Sequence, residues 1–144
     1  MPDGKTHDKI TMYTTPVVAV VTYVITKDIK ITAIILCSYI FASFMFNGDL
    51  DCHSKPFNRW LIFKMIWIPY QMMFTHRSVF THGLIIGTVV RLLYLATVPV
   101  IILLFNHDLI SITNYIKPHI DILIPILIGL ELGSAIHTIS DYTL

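Results

Sequence analysis

Residues 31–54 read ITAIILCSYIFASFMF and then NGDLDCHS. The first part, Ile31–Phe46, carries no charged side chain; Asn47-Gly48 ends it, and two carboxylates, Asp49 and Asp51, follow at once. Such an uncharged run reads as a helix in hydrocarbon, although about 20 residues are the usual length of a span. The placement of the acids just past its end sets the theme of the chain. Polar residues gather where apolar runs stop.

Upstream, Lys27-Asp28-Ile29-Lys30 is a tight polar turn. It joins Ile31–Phe46 to an earlier apolar run, Met12–Thr26, with TPVVAVVTYVIT at its heart. Downstream, Leu84–Phe105 is interrupted only by Arg91, and Ile120–Ile139 holds Asp121 and Glu131 among apolar residues. Asn106–Pro118 is the loop between them. Between the two pairs lies RWLIFKMIWIPYQMMF, Arg59–Phe74. Its Trp60, Trp67 and Tyr70 with Arg59 and Lys64 suit the membrane interface. Pro69 bends or ends it. The expected fold class is all-α: a polytopic membrane protein of two transmembrane helical hairpins (helices 12–26 and 31–46, then 84–105 and 120–139) joined by an interfacial helix over 59–74. Residues 1–144 form a single membrane domain.

Composition agrees. The chain is 55% hydrophobic and 13% charged, with mean hydropathy +0.71. Soluble domains carry about 25% charged residues, so the wettable surface of a soluble fold is missing. A net charge of +1 gives no reason to expect a nucleic-acid partner. Cys37 lies in an apolar run and Cys52 beside the acidic pair, so no disulfide between them is expected. The polar first fifteen residues do not read as a cleavable signal peptide.

The topology puts His7-Asp8, Asp49-x-Asp51, His76-Arg77, His82 and His137-x-x-x-Asp141 on one membrane face. His137 and Asp141, four apart, share a helix face. Asp49 and Asp51 in a turn can both reach one cation, and oxygen ligands of this kind also suit magnesium or calcium. Cys52 and His53 are weaker candidates. His76 and His82, six apart, need a break between them to converge. A mixed His/Asp set suits zinc, manganese or iron. His107 and His119 belong to the opposite loop and read as solvated. Arg91 and Glu131 lie at matching depths, about 13 and 15 Å along their helices by the helical rise; they are expected to face each other as an ion pair, with a reach of Glu131 toward the metal residues as the alternative. Gly129-Leu-Glu-Leu-Gly133 has the small-xxx-small spacing of close helix packing. Lys5, Lys9, Lys55, Arg59, Lys64 and Arg77 lie on the cluster face against Lys27, Lys30 and Lys117 on the other. That excess makes the cluster face cytoplasmic, or stromal in a plastid.

GKTHDKIT (4–11), GDLDCHSKPFNRW (48–60), IWIPYQMMFTHRSVFTHGLIIGTVVRLLYL (66–95) and LGSAIHTISD (132–141) together resemble a family of small bacterial, notably cyanobacterial, integral membrane proteins described as predicted metal-binding proteins. The HR…TH and HxxxD elements are also similar to those of membrane-bound metal-dependent hydrolases and, more distantly, of helical zinc-dependent phospholipase C enzymes. The resemblance implies a metal site on His7, Asp8, Asp49, Asp51, His76, His82, His137 and Asp141.

Two functions follow as expectations. One is a metal-dependent hydrolase, of phosphoesters or lipid headgroups, with a divalent metal, zinc before manganese, iron or magnesium. In it Asp8 or Asp51 is the general base and Arg77 holds an anionic group. The other is a non-catalytic, metal-stapled small subunit or assembly factor of a larger membrane complex, photosynthetic in one version. The partners expected are membrane lipid and, in that second case, the complex.

Overall fold

The computed structural model describes residues 4–105 and 116–143, which contain helices and no strand. Helix α1 spans Gly4–Thr26, α2 Ile29–Met45, α3 Lys55–Arg59, α4 Trp67–Met73, α5 Val79–His82, α6 Ile86–Phe105 and α7 Ile120–Thr143. Short 3-10 turns occupy Gly48–Asp51, Leu61–Ile66 and Lys117–His119. Three segments are long and apolar enough to cross a membrane: Gly4–Thr26, Ile29–Asp51 and Lys117–Thr143. Ile86–Ile102 in α6 is a shorter apolar stretch. Most of the expected loop between α6 and α7, residues 106–115 with His107, lies outside the described residues. His119 is half-buried at the end of its 3-10 turn.

Helix α1 begins eight residues before the expected Met12, so His7 and Asp8 ride on its first turns. Threonine hydroxyls take up its carbonyls around Pro16: Thr14 donates to Ile10 O at 2.7 Å and Thr15 to Thr11 O at 2.6 Å. The turn into α2 is tight, with Lys27 in the left-handed region at φ 50°. Asp28 caps α2 by accepting from the backbone N–H groups of Lys30 and Ile31 at 2.7 and 3.3 Å. At the far end of α2 the Asn47 amide donates to Ser43 O at 2.8 Å, and its oxygen accepts from Asp49 N at 3.2 Å. That bridge carries the chain straight from α2 into the acidic turn.

Helix α7 packs chiefly on α2 and only lightly on α6. Glycines allow it. A Cβ at Gly129 would stand 2.4 Å from Ile35 O, and one at Gly133 would stand 2.4 Å from Tyr39 O. The small-xxx-small spacing thus serves contact with α2, where the sequence reading paired the last two spans with each other.

The stretch 59–74 is not one interfacial helix. It divides into the end of α3, the 3-10 turn and α4, with Leu61 at φ 51° at the first break. Pro69 neither ends nor bends α4. It sits in the first turn, where no intrahelical N–H is lost. Trp67 and Tyr70 are not interface anchors either. Both are 0% exposed and build the core with Phe46, Leu50, Phe57 and Leu130. Trp67 meets Phe46, Trp60 and Tyr70 edge-on, with centroids 5.9, 5.3 and 5.5 Å away. The residues that face outward there are Leu61, Ile62, Phe63, Met65, Met72 and Met73.

The ion pair expected between Arg91 and Glu131 does not form. Arg91 donates to neutral oxygens of Thr81, Thr88 and Ser134. Glu131 Oε1 instead accepts from Ile85 N at 2.8 Å. Ile85 is at φ 64°, so this carboxylate supports a left-handed corner just before α6. The match in depth along the helices was not a match in direction.

Candidate metal centre

Four donor side chains converge where three elements meet. Asp49 comes from the 3-10 turn after α2, His82 from the last residue of α5, and His137 and Asp141 from the same face of α7. One ligand-type atom from each lies within 4.8 Å of all the others. His82 Nε2 is 3.5 Å from Asp49 Oδ1 and 3.7 Å from Asp141 Oδ2. His137 Nε2 is 3.4 Å from Asp49 Oδ2 and 3.5 Å from Asp141 Oδ2. The side chains of His82, His137 and Asp141 are 2, 2 and 3% exposed.

These approaches are not hydrogen bonds. Asp49 Oδ1, His82 Nε2, both ring nitrogens of His137 and both oxygens of Asp141 are buried without a hydrogen-bond partner. Buried polar atoms are almost always bonded. Here six are not, and one atom from each of these two carboxylates and two imidazoles lies within 4.8 Å of the others, the donor set of a cation site. The residues present therefore fit the binding of a divalent metal ion.

Around the four stand the residues that orient them. His82 turns its Nδ1 to Thr81 Oγ1 at 3.0 Å and Asp51 Oδ2 at 3.4 Å, which leaves Nε2 toward the cluster. Gly48 presses on the His82 ring; a Cβ there would come within 2.7 Å of it. Burial pushes the His82 imidazole down, but the Asp49 and Asp51 carboxylates outweigh it and hold its pKa up at about 9. His7 reaches in from α1, its Nε2 3.2 Å from Asp141 Oδ1 and its Nδ1 2.8 Å from Ser140 Oγ. Its ring lies against His137 at 4.2 Å between centroids.

Asp8, expected as a ligand or general base, is elsewhere. Both of its oxygens accept from Arg59 Nη2 at 2.8 Å, and Oδ2 also accepts from Lys55 Nζ at 3.0 Å. One residue further along α1 than His7, it points to α3 and ties the two helices together. Asp51 is fully buried as a side chain and fully engaged: Oδ1 meets His76 Nδ1 at 2.7 Å and Oδ2 accepts from Arg77 N at 3.0 Å. It is an orienting residue, with no free oxygen to act as a base. His76 is not one of the four; with Asp51 and Cys52 it forms a second, more exposed group. Burial together with Asp49 and Asp51 pushes the Cys52 thiol up to about 12, so it remains a thiol. His53 is exposed, its ring edge-on to Phe57. Arg77 is 45% exposed, with Nη2 4.0 Å from Asp141 Oδ1 and a backbone at φ 62°.

Sequence reasoning passed over Ser134 and Ser140, and took Thr81 only as the neighbour of His82 and Gly48 only as a helix end. Ser134 and Ser140 carry a signal in hindsight: each is three residues from His137 on α7, hence on or beside its face.

Among known proteins, the chain is 41% identical over 58 residues to a protein of Aquifex aeolicus (strain VF5) described as an uncharacterized protein. The match covers 40% of each of the two chains. No solved structure matches the chain. Residues 2–144 match the family described as uncharacterized metal-binding protein, DUF2227, a description in accord with the convergent His/Asp cluster. The chain belongs to that metal-binding family.

Proposed function

We propose that this is an integral membrane protein whose Asp49, His82, His137 and Asp141 hold a divalent metal ion, zinc first, and that it hydrolyses anionic esters at the cytoplasmic membrane face. The observation that carries the metal is the group of buried donor atoms without hydrogen bonds. A bound ion supplies Lewis-acid polarisation of a phosphoryl or carbonyl oxygen and a lowered pKa for bound water.

The catalytic reading rests on what lies outside the four. Arg77 is exposed next to the cluster and held in a left-handed backbone conformation by the Asp51 carboxylate. Such strain in a non-glycine residue tends to collect at functional sites. Its guanidinium is suited to an anionic oxygen pair. His76, its Nδ1 held by Asp51 and its side chain 39% exposed, is the group available to accept a proton. Met72, Met73, Val79 and Phe80, all strongly exposed, bracket His76-Arg77 in sequence. That apolar setting favours a lipid phosphoester as substrate and membrane lipid as partner.

One observation favours a second reading, in which the ion only staples the helices of a small subunit within a larger membrane complex. The four donors are nearly closed off from solvent. The experiment is a panel of phosphomonoesters and phosphodiesters, in detergent and in vesicles, with metal-loaded wild type and Arg77→Ala. Hydrolysis that falls at least tenfold in Arg77→Ala, with metal content unchanged, supports the enzyme. No hydrolysis, together with a large loss of thermal stability on chelation, overturns it in favour of the staple.

A further inference from the structure

His82 and His137 belong to different elements, and one buried side chain bonds to both of those elements. Arg91 of α6 is 0% exposed. Its Nη1 donates to the carbonyl of Thr81 at 2.7 Å, and its Nη2 donates to Ser134 Oγ at 2.6 Å and Thr88 Oγ1 at 3.2 Å. Thr81 is the residue before His82, and its hydroxyl lies 3.0 Å from His82 Nδ1. Ser134 stands on α7 one turn before His137.

The approach has been given room. A Cβ at Gly87 would stand 2.6 Å from Thr81 O and 3.3 Å from Arg91 Nη1. The guanidinium is covered by the Phe46 ring, 5.3 Å from its centroid. Among the described residues no carboxylate pairs with Arg91, whose terminal nitrogens donate to Thr81, Thr88 and Ser134. A fully buried charge without a contacting partner is costly. A residue needed only to fill the core there would serve better as an apolar one. What a guanidinium adds is a rigid planar fork that reaches a backbone carbonyl and a hydroxyl at once.

We infer that Arg91 is the positioning residue of the metal centre, fixing the separation of His82 and His137 by bridging Thr81 and Ser134. The inference rests on the metal-centre reading above and adds a specific residue to it. Outer partners of metal ligands typically alter affinity by roughly 10–100-fold.

The test titrates cobalt(II) into the chelator-treated full chain in detergent. Wild type is compared with Arg91→Met, Arg91→Lys, Ser134→Ala and Gly87→Ala. The readouts are cobalt affinity, by competition with a chelator, and the visible absorption bands of the bound ion. Arg91→Met is expected to weaken cobalt binding roughly 10–100-fold and to shift the bands. Arg91→Lys should recover part of the affinity. Ser134→Ala and Gly87→Ala, which keep the charge, should shift the bands the same way by less. Wild-type affinity and bands in all variants, with only a lower melting temperature, would overturn the inference and leave Arg91 a packing residue. Should Arg91→Met fail to fold, Ser134→Ala and Gly87→Ala decide the question: unchanged bands and affinity in both overturn it. Wild type that takes up no cobalt or zinc removes the metal centre itself, a failure distinct from that of the Arg91 bridge.

Discussion

His82 turns its Nδ1 toward Asp51, 3.4 Å away, and its Nε2 toward Asp49 and Asp141, 3.5 and 3.7 Å away. One ring nitrogen is thereby reserved for support and the other for the cluster. This carboxylate–histidine arrangement fixes tautomer and orientation in metal sites. Asp51→Asn should therefore keep the fold and weaken zinc binding roughly 10–100-fold, read by competition with a fluorescent chelator. Unchanged affinity would show that Asp51 does not support the site.

Asp8 supplies the contrast. Its ion pairs with Arg59 and Lys55 are half-exposed. Pairs of this kind contribute about 1 kcal/mol or less. Asp8→Asn should lower the melting temperature slightly and leave metal content and affinity as in wild type. A loss of bound metal would return Asp8 to the site.

The α2–α7 contact should be intolerant of volume. At Gly133 a Cβ would meet Tyr39 O at 2.4 Å and Ala42 Cβ at 2.8 Å. Overpacking of this kind costs about 1–3 kcal/mol. Because His137 lies one turn further along, Gly133→Ala should lower both thermal stability and metal affinity. Thermal unfolding in detergent, with and without zinc, reads both effects.

The protein stripped of metal should be pH-sensitive through His82. Its pKa is about 9 when folded against about 6.5 for an unperturbed histidine. A raised folded-state pKa means stabilisation that is complete below the unfolded value and lost as pH rises through the folded one. Metal-free protein should thus lose stability between pH 6.5 and 9. Metal-loaded protein should not, since a coordinated imidazole carries no proton to lose there. The groups facing His82 are Asp49, Asp51, Asp141, His76 and His137. Denaturation of both forms across that range checks the sign; a metal-free form that gains stability would contradict it.

What could be read from the sequence was spacing. His137 and Asp141 at four apart do share a face, and Gly129 and Gly133 do mark a close helix contact. The polar groups that end α2 and α7 do meet. Direction was the harder part. His7 and Asp8 are neighbours, but successive residues on a helix point about 100° apart. His7 turns to Asp141 while Asp8 turns to Arg59. The same limit misled the pairing of Arg91 with Glu131, which agreed in depth and differed in facing. Nor does any glycine announce the left-handed residues Leu61, Arg77 and Ile85. Leu61 breaks 59–74 near its start, Arg77 turns the chain between His76 and His82, whose ring centroids are 5.6 Å apart, and Ile85 makes the corner before α6. Trp67 and Tyr70, three apart, share a helix face that turns inward, so their polar edges say less than their ring area.

The central claim is that Asp49, His82, His137 and Asp141 hold one metal ion. Elemental analysis of the purified chain beside the double variant His82→Ala, Asp141→Ala tests it most directly. The account predicts close to one divalent ion per wild-type chain and almost none in the folded variant. Wild-type protein that carries no metal after exposure to zinc, manganese and iron, or a variant that retains the full amount, would contradict it.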